Sequence, residues 1–133
     1  MVMRLAFALA LLPLPVLADE ALSVELNAVA PEGSACRLSF VAENRLGTDL
    51  RAVVFEAVIF NKAGQVDRLA LLDFQDLPQD RPRLRQFDVP GLGCNAIGQV
   101  LLNAAPQCEG PDPITCMAGL APSSRVAGVE VAG

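Results

Sequence analysis

An all-β fold is predicted: an immunoglobulin-like antiparallel β-sandwich of about seven strands, stapled by disulfides. Three observations point there. Apolar residues recur every second position rather than every 3.6, as half-buried strands require. Clusters of Gly, Pro, Asn and Asp separate the runs at short intervals, with no heptad and no internal repeat. Four cysteines follow an N-terminal segment with the pattern of an export signal.

The strands read in order. In LSVELNAVAP, Leu22, Val24 and Leu26 alternate with Ser23, Glu25 and Asn27 until Pro31 closes the run. ACRLSFVAEN sets Cys36, Leu38, Phe40 and Ala42 against Arg37, Ser39 and Val41, and NRLGTD then turns at Gly47. The core of the third run, AVVFEAVIF, is apolar on both faces apart from Glu56, the pattern of a central strand covered on both sides. NKAG closes a hairpin, with Gly64 suited to the left-handed position after a type I turn. QVDRLALLDFQ returns as a fourth strand; its mixed spacing also admits a helix over 66–77. RLRQFDVPGL is the fifth, IGQVLLNAAPQC the sixth, and RVAGVEVAG a short seventh at an edge.

The first 18 residues are expected to be a cleaved signal peptide. A lone cation, Arg4, precedes LAFALALLPLPVL, which is short of the roughly 20 apolar residues a spanning helix needs and is broken by Pro13 and Pro15. Small residues place the cut between Ala18 and Asp19. Residues 19–133 then form one domain. The net charge of −5 becomes −6 once Arg4 is removed, which disfavours phosphate backbones as partners. The expected address is the periplasm, reached through a Sec-type signal.

LRAVVFEAVIFNKAGQV resembles the central hairpin of small bacterial immunoglobulin-like domains of the FxLYD type: strand, aromatic, short turn with a late glycine, strand. The chain departs from that type in having no tyrosine. The wider pattern, CRLSFVAEN, FDVPGLGCNAIGQVLLN and the cysteine-rich tail, is similar to small exported bacterial proteins of unknown function. Both resemblances imply a β-sandwich, and neither transfers a catalytic residue.

An oxidising compartment makes disulfides the default for Cys36, Cys94, Cys108 and Cys116, which admit three pairings. If consecutive strands alternate in direction, the second and sixth run the same way, and a Cys36–Cys94 bridge ties the two sheets at one end. Cys108–Cys116 then clips the last connection. By chain entropy the bridges contribute about 4 and about 2.5 kcal/mol. A redox pair wants C-x-x-C, and a zinc site wants paired C-x-x-C or histidines. Here Pro111 and Pro113 stiffen a long spacer, and the chain has no histidine.

Without histidine, Ser-His-Asp and Cys-His catalysis are excluded. Asp73, Asp76, Asp80 and Asp88 form a loose acidic series without the spacing of a calcium loop, and they read as solvated charges. Gly91, Gly93 and Gly98 match no nucleotide-binding loop and read as the turn that positions Cys94. Arg81, Arg83 and Arg85 are a candidate partner-binding patch, with edge-strand protection as the alternative. The expected protein is therefore non-catalytic, with no metal and no cofactor. It is a monomeric binding or accessory module that docks onto another envelope protein. A thiol–disulfide or stress-response protein with a cycling bridge is the second expectation.

Overall fold

Strict alternation of buried and outward side chains runs the length of Ala35–Asn44 and through most of Leu50–Asn61. That alternation needs an apolar layer on one side, and the fold supplies it by packing two sheets together. A computed structural model describes residues 2, 8–14, 22–110 and 112–133; the expected cleavage point between Ala18 and Asp19 lies outside them. Eight strands form: β1 Leu22–Glu32, β2 Ala35–Asn44, β3 Leu50–Asn61, β4 Val66–Leu77, β5 Arg83–Val89, β6 Ile97–Glu109, β7 Leu120–Ser124 and β8 Glu130–Ala132. One sheet has the order β5-β2-β1-β7, the other β4-β3-β6-β8.

Both sheets contribute to one buried cluster, which includes Leu22, Val24 and Phe40 from one and Phe55, Ile59 and Leu102 from the other. Phe74 on β4 is its hinge point. Its ring lies 5.6 Å from that of Phe40, 5.3 Å from Phe55 and 5.1 Å from Phe87. Aromatic pairs at such separations add to the gain from burial.

The hairpin forms as predicted. Gly64 takes φ +77°, its N–H donates to Asn61 O, and the Asn61 N–H donates to Gln65 O. The segment 66–77 is a strand, not a helix. Its pairing with β3 breaks register near Gln75, where φ is +59° and the N–H donates to Asp73 Oδ1 at 2.8 Å.

The C-terminal part departs from expectation. A short helix, α1 (Pro113–Ala118), follows β6, with Asp112 accepting from Thr115 N–H at 2.7 Å and proline in its first turn. Next, β7 pairs parallel with β1, and the tail crosses to the other sheet, where β8 pairs parallel with β6. The sandwich is thus mixed rather than wholly antiparallel. The expected strand over 125–133 shrinks to Glu130–Ala132, because the chain turns at Gly128 (φ +80°) to change sheets.

The cysteines pair as the strand directions suggest, with Cα separations of 5.0 Å for Cys36–Cys94 and 6.5 Å for Cys108–Cys116. The first joins the start of β2 to a 3₁₀ turn just ahead of β6. The second ties α1 against β6, whose outer edge β8 covers only at Gln99–Leu101.

Asn44 is fully buried at the end of β2. Its amide donates to Thr48 O and Leu77 O, each at 2.8 Å, and its side-chain oxygen accepts from Leu46 N–H. Its backbone carbonyl accepts from Asp80 N–H. One side chain thus ties the 45–49 loop to the end of β4.

Phe74→Ala is expected to lower unfolding free energy by about 3–5 kcal/mol, since the cavity opens where both sheets meet. Asn44→Ala should cost about 1–3 kcal/mol by leaving buried carbonyls unpaired. Urea unfolding of each variant measures both, and a Phe74→Ala loss below 1 kcal/mol is incompatible with the packing described.

Candidate functional site

The two outer faces of the sandwich differ in chemistry. On the β5-β2-β1-β7 sheet the outward residues are mostly polar and largely matched to one another, with the pair Val41 and Leu84 (56% exposed) as an apolar interruption. Arg37 grips Asp88 through two hydrogen bonds of 2.8 and 3.1 Å and also reaches Glu32 at 3.4 Å. Arg125 pairs with Glu25 and Arg45 with Glu43, each at 2.9 Å. Gln86 donates to Ser39 at 3.0 Å. This is a face built to meet water.

The β4-β3-β6-β8 sheet turns a different surface outward. Register sets its outward residues in rows: Val66, Phe60, Gln99 and Glu130; then Leu69, Val58, Leu101 and Ala132. Leu71, Glu56 and Ala104 follow, then Asp73, Val54 and Gln107. Val66, Leu69 and Leu71 are 63, 60 and 68% exposed, whereas Val54, Val58, Phe60 and Leu101 are half-buried by their neighbours. The two-faced apolar pattern of AVVFEAVIF predicts cover on both sides. The inner side has it, from the facing sheet; among the described residues nothing covers the outer side.

At the hairpin end of that face lies an open groove of about 620 Å³, lined by residues that include Phe60, Lys62, Gly98, Gln99, Ser124, Gly128 and Glu130. Gly98 is required there: a Cβ would stand 2.5 Å from Asn61 O. The Lys62 ammonium donates to Gly128 O at 2.7 Å and so pins the tail to the hairpin. Neither a cysteine nor a pair of carboxylates lines this groove.

The predicted arginine patch is divided by the fold. Arg83 and Arg85 do share one side of β5, but it is the inner side, opposite Ala42 and Phe40. Arg85 is only 14% exposed, and its guanidinium donates to Phe74 O and, at 2.7 Å, to Asp76 O. The irregularity at Gln75 is what turns these two carbonyls of β4 toward β5. Arg68 works from the other side, donating to Pro90 O at 2.6 Å beyond the end of β5. Two arginines therefore clasp the seam between the edge strands β4 and β5. Arg81 remains exposed, and Arg83 is half-buried with a hydrogen bond to Pro82 O at 3.2 Å.

The acidic series does not converge. Asp73 lies on the apolar face, Asp76 at the clasp, Asp80 beside Asn44 and Asp88 on the polar face. Among the described residues no group of three potential metal-ligating side chains forms. Gly91 (φ +68°) makes the turn ahead of Cys94, and Gly93 caps its 3₁₀ turn. Cys36 and Cys116 are fully buried and Cys108 is 6% exposed; no described cysteine is free.

Three carboxyls titrate below their usual range. Asp88 is lowered by its hydrogen bond from Arg37, Asp112 by the Thr115 N–H, and Glu25 by Asn27 and then Arg125. A lowered folded-state pKa gives stability that is present above the ordinary carboxylate value, about 4, and lost as pH falls through the folded value. The urea midpoint should therefore drop as pH falls from about 5 through the lowered folded-state values, and Glu25→Gln with Asp88→Asn should flatten that drop.

Among the described residues no helix is long and apolar enough to cross a membrane. Compared with known proteins, the chain matches no protein-family model, no curated protein and no solved structure.

Proposed function

We propose that this chain is a non-catalytic periplasmic binding or accessory module that docks onto another envelope protein through the outer face of its β4-β3-β6-β8 sheet. The carrying observation is the contrast between the two outer faces. One matches its charges internally, while the other leaves Val66, Leu69 and Leu71 open to solvent beside Val58 and Leu101. An exported monomer gains nothing from such a surface unless something covers it.

The immunoglobulin-like assignment is supported by the adjacency of β1, β2 and β5 in one sheet and of β4, β3 and β6 in the other. A bridge from β2 to the segment ahead of β6 fits the same arrangement. The exported, oxidised setting is supported by two cysteine pairs and by the signal-like N-terminus. Burial of Cys36, Cys108 and Cys116 favours structural bridges over cycling ones, because exchange requires a thiolate to reach a sulfur. Arg81 and Arg83 remain candidates for a minor contact at the rim.

A photo-crosslinker at Leu71, in the chain exported by a bacterium, should capture a discrete envelope protein, and one at Gln86 on the polar face should not. Val58→Thr with Leu69→Thr should abolish that capture. Equal capture from both faces would sink the proposal. For the bridges, a non-reducing peptide map after incubation in a glutathione buffer should return Cys36–Cys94 and Cys108–Cys116 intact. Labelled Cys108 or Cys116 under those conditions would put the cycling reading first.

A further inference from the structure

We infer that the partner segment seated on the β4-β3-β6-β8 face is amphipathic and basic: an aliphatic strip flanked by lysine or arginine. This rests on reading that face as the docking surface and adds the chemistry of its occupant. The outward rows from Val66 to Gln107 contain the carboxylates Glu56, Asp73 and Glu130 and neither a lysine nor an arginine; beyond them, at the far end of β3, lie the exposed Arg51 and the pair Ala52–Glu109. Among the described residues none of these three carboxylates is ion-paired, whereas Glu25, Glu43 and Asp88 on the opposite face all are.

Glu56 makes the constraint strict. It stands on a central strand between Leu71 and Ala104, and among the described residues its carboxylate has one hydrogen bond, from the Asn103 amide at 3.4 Å. Any apolar surface that covers Leu71 also strips water from Glu56. A carboxylate desolvated without a donor or cation opposes binding more strongly than one aliphatic contact favours it. The occupant must therefore bring cationic donors to the places where Glu56 and Asp73 emerge.

The same charges decide against other occupants. A second copy packed about a two-fold axis would bring these acidic rows against acidic rows, with only Arg51 at the far end of β3 to offset them. An anionic lipid surface or a nucleic-acid backbone would be repelled.

Short random peptides displayed on phage, selected on the wild-type chain and counter-selected on Val58→Thr/Leu69→Thr/Leu71→Thr, test the inference. Threonine keeps strand propensity, so the variant sheet is expected to form. Intact bridges and an unchanged urea midpoint would verify that. The expected outcome is enrichment of sequences in which Lys or Arg flank aliphatic residues. A synthetic copy of the leading peptide should bind Glu56→Gln/Asp73→Asn at least about tenfold more weakly than wild type, with a difference that shrinks as salt is added. This charge variant leaves every apolar position in place and is independent of the threonine variant. Face-dependent peptides that are neutral or acidic, and indifferent to the charge variant, would overturn the basic partner while leaving the docking face standing. Peptides that bind the threonine variant equally would overturn both. A wild-type dimer in sedimentation equilibrium that the threonine variant loses would assign the face to a second copy and overturn the basic partner.

Discussion

The contact of Phe74 with Phe40, Phe55 and Phe87 is the interaction on which the sandwich depends. β4 is an edge strand of its own sheet, with a backbone ladder to β3 alone, yet its phenyl ring reaches both strands of the facing sheet that carry aromatics. The irregularity at Gln75 follows from the same placement. The kink keeps Phe74 inward and leaves its carbonyl, with that of Asp76, to be taken up by Arg85. Buried aromatic contact thus fixes the seam, and arginine satisfies the backbone that the seam would otherwise leave open.

At the opposite edge the device is covalent and topological. The chain beyond β6 first folds as a helical turn held by Cys108–Cys116, then contributes one short strand to each sheet. These strands cover parts of the β1 and β6 edges, and Lys62 anchors the crossing to the hairpin. A chain of this size has a modest core, and bridges at both ends of β6 compensate by restricting the unfolded ensemble. What remains uncovered is a face rather than an edge: the outer side of β3 and its neighbours. Edge pairing is indiscriminate. A face with set apolar rows and set carboxylates is selective, and the proposed docking rests on that difference.

The site was half visible in the residues. Period-two apolarity on both faces of AVVFEAVIF, with Glu56 as its interruption, is the signal of the apolar outer face on which docking is proposed. The pattern predicts cover on both sides and leaves the covering molecule open, because periodicity reports that a face is apolar and nothing more. The arginines misled for a related reason. Arg83 and Arg85 do share a side of β5, but whether that side meets solvent or β4 depends on sheet order, a long-range property. The helix Pro113–Ala118 is locally legible, since an aspartate cap followed by proline is a start signal. β7 was not legible. A five-residue edge strand containing Pro122 shows no alternation, and its parallel partner lies about a hundred residues earlier.

By itself the sequence determined the all-β class, the hairpin at Asn61–Gln65 and the boundaries of six strands to within a few residues, and it favoured one of the three cysteine pairings. These are local or directional properties: side-chain period, glycine and proline conformations, and the alternation of strand direction. Only the tertiary structure decided the mixed pairing of the tail, the burial of Arg85, the role of Asn44 as a polar anchor and the contrast between the two outer faces. Each of those depends on which strands become neighbours. Hydrophobic burial and backbone hydrogen bonding select those neighbours across the whole chain, and no window of residues contains that information.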